Sequence, residues 1–243
     1  MEVLAVAIQK GGTGKTTTAA VLAQAAAHTG KKVLAIDLDP QGNLTFAAGA
    51  DTSKGGSSYD LLHDTPAKDI IQTLQQGFDI IPASWNLATE TTSKGSATRL
   101  KAALEPIKGR YDLIIIDTPP TAGELQYNAL FAATGLIIPL EADIYSLKSL
   151  YQITDTAKQI MQTNKHLSIK GFIITQLDSR STIAKQMQEN VIIAANKNNI
   201  PYLGSIRTGV AIKEAAALQK NLYDYAPKSN PAKDYLSLLE QLI

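Results

Sequence analysis

A glycine-rich segment near the amino end narrows the possible folds of this chain furthest. Directly after the apolar run Val3–Ile8, and directly before a helical pattern, the sequence reads Gln9-Lys10-Gly11-Gly12-Thr13-Gly14-Lys15-Thr16-Thr17-Thr18. Glycines let backbone N–H groups converge on phosphate oxygens, and the start of a helix adds positive potential at the same place. The order strand, glycine-rich loop, helix therefore predicts a phosphate-binding loop. The alternative is a turn that binds nothing, but such a turn rarely gathers these glycines, lysines and threonines.

Two side chains of this loop have predicted roles toward a nucleotide. Lys15 is expected to reach the β- and γ-phosphates, and Thr16 is expected to place its hydroxyl on Mg²⁺. The common phosphate-loop pattern has a glycine where this chain has Gln9, and here Lys10 stands directly before the first two glycines. The predicted nucleotide-binding residues are Lys10, Gly11, Gly12, Thr13, Gly14, Lys15, Thr16 and Thr17.

Two further segments place carboxylates at the ends of apolar runs. Asp37 and Asp39 follow Val33–Ile36, and Asp117 follows Leu113–Ile116. Alternate residues of an extended segment point the same way, so Asp37 and Asp39 can face one pocket. Turn formation explains the pair Asp39-Pro40, but it does not explain Asp37 at the end of a strand. An α/β sheet binds its ligands at the carboxyl ends of its strands, which predicts that Asp117 holds Mg²⁺, through a water molecule, beside the phosphate loop.

Short apolar runs alternate with helical patterns along the whole chain. The predicted strands are Val3–Ile8, Val33–Ile36, Phe78–Ile81, Leu113–Ile116, Leu136–Leu140, Ile169–Thr175 and Tyr202–Ile206. The predicted helices are Thr16–His28, Ser96–Leu104, Gly123–Ala133, Ser146–Gln162, Ile183–Lys197, Val210–Leu218 and Pro231–Leu242. This alternation predicts βαβ units and an α/β fold. No linker interrupts it, so we expect residues 1–243 to form a single domain.

Composition excludes several classes of protein. The chain has 0 cysteines, which excludes a disulfide scaffold, a cysteine-ligated metal centre and a thiol nucleophile. It has no long apolar run and no basic leader, so neither a transmembrane helix nor a signal peptide is expected. The net charge is −4 over residues 1–144 and +5 over residues 145–243. This asymmetry indicates a surface for a polyanion late in the chain, or else ordinary solvated helix faces.

The segment from Lys10 to Thr17 resembles the deviant Walker A motif of ParA/MinD-type ATPases. The segment from Asp37 to Asn43 resembles the second signature of the same family, and Asp117 with the following Thr-Pro-Pro resembles its Walker B ending. Weaker similarities in the back half extend the resemblance over essentially the whole chain. The resemblance implies a P-loop NTPase fold, which is a three-layer sandwich with a mostly parallel central sheet flanked by helices, and it implies ATP and Mg²⁺ as cofactors.

The resemblance also implies roles for single residues. Lys10 would cross the interface of an ATP-bound homodimer to the nucleotide of the other subunit. Asp39 would orient or activate the attacking water, and Asp37 would support the Mg²⁺ site. The implied catalytic residues are therefore Lys10, Lys15 and Asp39. The implied metal site consists of Thr16, Asp37 and Asp117.

DNA-binding members of this family hold duplex DNA through a basic surface of the dimer, without reading its sequence. The candidates for such a surface are Arg180, Lys185, Arg207, Lys213, Lys220 and Lys228, and Arg207 and Lys228 are the two predicted DNA contacts. The implied function is plasmid or chromosome partitioning by a cytoplasmic, nucleoid-associated ATPase. A ParB-like centromere-binding protein would stimulate its hydrolysis of ATP.

Two alternatives stay open. The first is a MinD-like positioning ATPase that acts on a membrane or a protein assembly. The acidic residues Asp234 and Glu240 of the last predicted helix count against membrane binding, which favours basic side chains. The second alternative is a metabolic enzyme on the same fold, such as a ligase of the dethiobiotin-synthetase type.

Overall fold

The computed structural model of the chain describes residues 1–53, 55–90, 95–143 and 145–243. Its strands are β1 Glu2–Val6, β2 Val33–Asp37, β3 Gln72–Thr73, β4 Asp79–Ile81, β5 Leu113–Asp117, β6 Gly135–Glu141, β7 Ser168–Leu177 and β8 Tyr202–Arg207. Its α-helices are α1 Lys15–His28, α2 Asn43–Ala48, α3 Ser58–Leu62, α4 Ala67–Ile70, α5 Arg99–Leu104, α6 Glu124–Ala132, α7 Ser146–Met161, α8 Thr182–Asn196, α9 Val210–Ala217, α10 Leu222–Tyr225 and α11 Asn230–Leu242. Short 3-10 helices cover Trp85–Thr89, Ser96–Thr98 and Glu105–Ile107.

The strands of the described ranges form one sheet in the order β3-β4-β2-β5-β1-β6-β7-β8. Each neighbouring pair is parallel except β3 with β4, which is antiparallel. The predicted α/β fold with a mostly parallel sheet is therefore confirmed, and every predicted strand and helix is present with ends that differ by a few residues. The organisation of residues 1–243 as a single domain stays a prediction.

Alternate residues of the central strands pack into two separate hydrophobic cores. In β1, Val3 and Ala5 join one core, whereas Leu4 and Val6 join the other. Helices α1, α2, α9, α10 and α11 cover the second core, and α3 to α8 cover the first. A parallel strand buried on both faces needs an apolar residue at nearly every position, which is why these strands read as continuous apolar runs. The three layers predicted from the sequence are thus confirmed.

The parallel strands bring the motif residues to one edge of the sheet, which we call the carboxyl edge. Strand β1 lies between β5 and β6, so the loop that follows β1 is next to the end of β5. The strand register sets Val6 beside Asp117 and sets Asp37 beside Asp117. Segments separated by about a hundred residues in the sequence therefore meet at the carboxyl edge.

Candidate nucleotide site

The loop after β1 has the backbone conformation of an anion cradle. Gly12 and Gly14 have φ angles of 79° and 81°, in the left-handed region where glycine carries no steric cost. Gly14 directly precedes α1, and no side chain caps the first turn of this helix, which also contains no acidic residue. The first N–H groups of α1 therefore keep their positive potential for a bound anion.

Lys15 is buried at the first position of α1 and points along the loop. Its Nζ donates a hydrogen bond of 2.8 Å to the carbonyl oxygen of Lys10. Burial lowers the pKa of Lys15, and the charges of Asp117 and Asp39 oppose that shift. The Lys15 ammonium thus lies within electrostatic reach of two of the three predicted carboxylates.

Asp117 is fully buried at the end of β5, and its environment fits a cation. Neither carboxylate oxygen makes a well-formed hydrogen bond to the described residues. Burial raises the pKa of Asp117 well above its ordinary value, the neighbouring Asp37 raises it further, and the Thr16 hydroxyl opposes the rise. A buried carboxylate without a partner is costly, so an arriving divalent cation is strongly favoured here. Asp117 and Thr16 would hold Mg²⁺, which takes few protein ligands and neutralises the charge of the phosphates.

Asp37 has a different environment from Asp117, because its oxygens are already used. One oxygen accepts hydrogen bonds from the Thr45 backbone N–H at 2.8 Å and from the Thr45 hydroxyl at 2.7 Å. The other oxygen accepts from the Asp39 N–H at 3.0 Å. Burial raises the pKa of Asp37 to about 6, although these hydrogen bonds oppose the rise. The structure makes Asp37 a brace for the loop that carries Asp39, and its role at the metal stays a prediction.

Asp39 lies at the carboxyl edge, two residues after the end of β2. It is mostly buried, and its Oδ1 accepts a hydrogen bond of 3.0 Å from the Gln41 N–H in the following turn. This contact is the turn chemistry that the sequence suggested for Asp39-Pro40. The influence of Asp39 on Lys15 places it beside the phosphate loop, as its predicted role in water activation requires.

Lys10 makes contacts within its own chain that the sequence did not reveal. Its Nζ lies 2.5 Å from Asp143, 3.6 Å from Glu141 and 3.2 Å from the hydroxyl of Ser146. Burial alone would raise the pKa of Asp143, but hydrogen bonds from Lys10 and from the Ser146 N–H lower it. In the single chain, the ammonium of Lys10 is therefore held at the carboxyl edge by Glu141, which ends β6, and by Asp143 just after it.

Strand β7 contacts the phosphate loop through two side chains near its carboxyl end. The Thr175 hydroxyl donates to the carbonyl oxygen of Thr13 at 2.8 Å, and the Gln176 amide donates to the carbonyl oxygen of Gly12 at 2.7 Å. Sequence reasoning missed both residues because nothing in their own segment indicates which loop they touch. The positive φ of Gln176, 55°, is a feature that only the folded structure shows.

The two predicted DNA contacts differ in their surroundings. Arg207 ends β8, and its guanidinium forms a two-pronged ion pair with Asp234 of α11, with an Nε–Oδ2 distance of 2.9 Å. This hydrogen bond raises the pKa of Arg207. Lys228 is exposed in the turn before α11. The other exposed candidates are Arg180, which pairs with Asp178 at 3.2 Å, and Lys185, Lys213 and Lys220.

A cavity of about 460 Å³ lies at the opposite edge of the sheet, at the amino ends of β2, β4 and β5. Its lining includes Lys31, Asp79 and Arg110, and it contains none of the motif residues. The chemistry of the loop favours the carboxyl edge for the nucleotide, because the cradle of N–H groups there suits phosphate.

The fold and the loop geometry together define a P-loop nucleotide-binding protein. A family model described as an "AAA domain" matches residues 1–169. The sporulation initiation inhibitor protein Soj of Bacillus subtilis is 37% identical over 251 residues, covering 99% of this chain and 98% of that protein. The chromosome-partitioning ATPase Soj of Thermus thermophilus is 35% identical over 242 residues, covering 99% of this chain and 94% of that protein. The chain belongs to the ParA/MinD family of ATPases, and its cofactors are ATP and Mg²⁺.

Solved structures agree with this assignment. A Mycobacterium smegmatis protein named cobyrinic acid a,c-diamide synthase, with bound ADP and magnesium, has a TM-score of 0.83 and 32% identity, covering 100% of this chain and 94% of that chain. The septum site-determining protein MinD of Pyrococcus horikoshii, in complex with Mg-ADP, has a TM-score of 0.81 and 26% identity, covering 99% of this chain and 95% of that chain. Both carry ADP, the product of ATP hydrolysis, together with magnesium, which agrees with the cofactors that the family resemblance implies.

Proposed function

We propose that this ATPase partitions DNA, either a plasmid or a chromosome, in the cytoplasm of a bacterial cell. ATP binding closes two copies face to face, and the dimer holds duplex DNA of any sequence on the nucleoid. A ParB-like centromere-binding protein then stimulates hydrolysis, the dimer opens, and the DNA is released. The relative named as a chromosome-partitioning ATPase and the net positive charge of the back half support this proposal.

The position of Lys10 is the observation that carries the proposal. It lies at the start of the phosphate loop, and its side chain is 24% exposed, so part of this side chain is accessible from outside the chain. Its present partners, Glu141 and Asp143, neutralise it while no second subunit is bound. An exchange of these partners for the phosphates of a facing subunit would link dimerisation to the bound nucleotide.

The nucleotide residues then divide the work of hydrolysis. Lys15 binds the β- and γ-phosphates, and Asp39 orients the attacking water. Asp117 and Thr16 hold Mg²⁺, and Asp37 fixes the segment that carries Asp39. Such catalysis consists of positioning and charge stabilisation, so a slow basal rate that a partner protein raises is expected.

The DNA surface is proposed to include Arg207 and Lys228. Lys228 is exposed, and its ammonium forms no ion pair within the described ranges, whereas Arg207 shares its charge with Asp234. Contacts of this kind depend on charge alone, so the affinity for DNA should fall steeply as salt rises. Both residues lie next to α11, which packs against α1 of the phosphate loop through Tyr235 and Thr18, whose hydroxyls are 3.1 Å apart.

Retention of DNA in three nucleotide states tests the proposal. The full chain is passed over immobilised duplex DNA with ATP, with ADP and without nucleotide, together with Lys15→Ala and the control Lys108→Ala. Lys108 is an exposed lysine that pairs with Glu105 away from the carboxyl edge. We expect retention only with ATP, lost in Lys15→Ala and kept in Lys108→Ala. Equal retention in all states contradicts a nucleotide-controlled DNA clamp.

The alternative function, positioning on a membrane, has less support in the structure. The similarity to MinD favours it, but the apolar face of α11 is used inside the protein, with Tyr235, Leu238 and Leu242 all buried. None of the helices in the ranges that the structure covers is long and apolar enough to cross a membrane. ATP-dependent flotation with liposomes, in the absence of DNA retention, would reverse the ranking. ATP-dependent conversion of a small acid would instead favour the metabolic alternative.

A further inference from the structure

Strand β7 contains a bulge at the point where it meets the phosphate loop. Ile174 pairs with Ser205 and Leu177 pairs with Arg207, so two residues of β7 oppose one residue of β8 between these pairs. The two residues are Thr175 and Gln176. A bulge re-aims side chains out of the regular alternation, and here the backbone of Gln176 adopts a φ of 55°, which non-glycine residues rarely do.

The bulge directs two consecutive side chains at two consecutive carbonyl groups of the loop. The Thr175 hydroxyl donates to Thr13 at 2.8 Å, and the Gln176 amide donates to Gly12 at 2.7 Å. In a regular strand, neighbouring side chains point to opposite faces, and both could not reach the same loop. The irregular backbone at Gln176 therefore makes this double contact possible.

A hydrogen bond to a backbone carbonyl group also orients the N–H group of the same peptide unit. In a trans peptide, the C=O of one residue and the N–H of the next point in opposite directions. The contact to Gly12 thus fixes the N–H of Thr13, and the contact to Thr13 fixes the N–H of Gly14. Neither of these N–H groups donates a hydrogen bond to any part of the chain that the structure describes. Both are left turned away from β7 and available to a phosphate.

Gln176 has a second contact that connects the loop to Lys10. The same amide nitrogen donates to Glu141 at 3.0 Å, and Glu141 lies 3.6 Å from the ammonium of Lys10. Gln176 is exposed, whereas Thr175 is buried and its hydroxyl, with a single hydrogen to share, also lies 3.0 Å from the carbonyl oxygen of Leu140. The amide of Gln176 can therefore be changed without opening the core.

We propose that Gln176 is a positioning residue for the nucleotide. Its amide holds the Gly12 carbonyl and the Glu141 carboxylate, and it thereby presets the Thr13 N–H for a phosphate oxygen before ATP arrives. The inference rests on the ATP site and not on DNA binding, so a failure to retain DNA leaves it unaffected. Its loss should weaken binding of ATP and ADP alike, because the preset N–H serves the nucleotide in both states.

Two substitutions distinguish the effect of the Gln176 side-chain amide from the effect of its backbone conformation. Gln176→Gly removes the side chain, and glycine adopts the left-handed backbone freely, so the fold is kept or stabilised. Gln176→Glu keeps the size, but a carboxylate cannot donate to Gly12 and repels Glu141. We expect the Kd for a fluorescent ADP analogue with Mg²⁺ to rise by about fivefold in Gln176→Gly, the factor of one typical hydrogen bond, and by more in Gln176→Glu. The KM for ATP should rise in parallel, while kcat changes little.

Gln219 provides a matched control. It is also a glutamine with a positive φ, 53°, and its amide also donates to a backbone carbonyl, that of Phe46 at 3.0 Å. Gln219→Gly should leave nucleotide affinity and KM unchanged. The proposal is overturned if both Gln176 variants bind the ADP analogue within about twofold of the unaltered protein, less than one hydrogen bond is worth. It is also overturned if Gln219→Gly reproduces the loss, or if affinity falls only together with the melting temperature.

Discussion

Lys10 and Asp143 form an ion pair within one chain, with 2.5 Å between the ammonium nitrogen and a carboxylate oxygen. Both residues lie at the carboxyl edge, and Asp143 is further fixed by the backbone N–H of Ser146 at 2.9 Å. The lysine proposed to serve the nucleotide of a second subunit is therefore occupied in the single chain. In the proposed dimer this contact would be exchanged for one with the second subunit, so Asp143 would compete with the dimer interface for Lys10.

Asp143→Asn should strengthen ATP-dependent dimerisation, because the lysine loses a charged partner in the single chain. A partly exposed ion pair is worth about 0.2–1 kcal/mol, and each of the two subunits gives up one such pair, so the dimer dissociation constant should fall by about twofold to thirtyfold. Analytical ultracentrifugation with a non-hydrolysable ATP analogue measures this constant. Asp178→Asn, which removes the partner of Arg180 on the surface, is the control and should change nothing. A weaker dimer in Asp143→Asn contradicts the competition.

Asp117→Asn should stabilise the nucleotide-free protein while it removes Mg²⁺-dependent ATP hydrolysis. The substitution replaces a fully buried carboxylate, whose oxygens accept no well-formed hydrogen bond from the described residues, by a neutral group of the same shape. Removal of the buried charge should increase the free energy of unfolding by about 1–3 kcal/mol. This should raise the melting temperature by about 2–4 °C per kcal/mol for a chain of this length. Thermal unfolding without nucleotide checks the first part, and phosphate release with Mg²⁺ and ATP checks the second. A lower melting temperature for the variant shows that Asp117 has an unseen stabilising partner.

The increase in stability caused by Asp117→Asn should be larger at higher pH. Burial raises the pKa of Asp117, and burial raises the pKa of its neighbour Asp37 from 3.8 to about 6. A raised carboxyl pKa contributes stability below the ordinary value, and this contribution is lost as the pH rises through the folded-state pKa. The two acids titrate as a pair, so the free-energy cost of the buried charge in the unaltered protein is small near pH 4 and larger above pH 6. Urea unfolding of both proteins at pH 5 and pH 8 should show the larger difference at pH 8, and equal differences contradict the buried charge.

Lys228→Ala and Arg207→Ala should have distinguishable effects on DNA binding and stability. Lys228 is exposed, so its loss should weaken DNA binding and reduce the salt dependence by about one ion without a change in melting temperature. Arg207 pairs with Asp234, which is 12% exposed, so its loss should also cost about 1 kcal/mol of stability. Fluorescence anisotropy with duplex DNA at several salt concentrations, and thermal unfolding, give the two readouts. If Arg207→Ala lowers stability and leaves DNA affinity intact, Arg207 only ties β8 to α11.

The sequence predicts the sheet and the nucleotide loop well because both depend on local patterns. Continuous apolar runs identify the buried strands, and the glycines around Thr13 identify the loop. The meeting of Asp37 and Asp117 also follows, because the carboxyl ends of parallel strands share one edge. Shorter elements were missed: β3 and the four- to six-residue helices α2, α3, α4 and α10 contain too few residues to show a period.

Contacts made by tertiary packing could not be predicted. The acidic partners of Lys10 lie at the end of β6 and just after it, more than 130 residues away in the sequence, and Asp234 is 27 residues from Arg207. The contact of Gln176 with Gly12 depends on a bulge whose position is set by the pairing of β7 with β8. Such contacts depend on distances between elements, which the spacing of residues along the chain does not contain.

In the proposed mechanism, the nucleotide controls a pair of subunits joined by Lys10. The most direct test is to measure the mass of the protein in solution with a non-hydrolysable ATP analogue. Light scattering after size exclusion should show a dimer of the 26.0 kDa chain with the analogue and Mg²⁺, and single chains with ADP. Lys10→Ala should stay a single chain with the analogue even though it still binds nucleotide. Single chains of the unaltered protein with the analogue, or dimers of Lys10→Ala, contradict this role of Lys10.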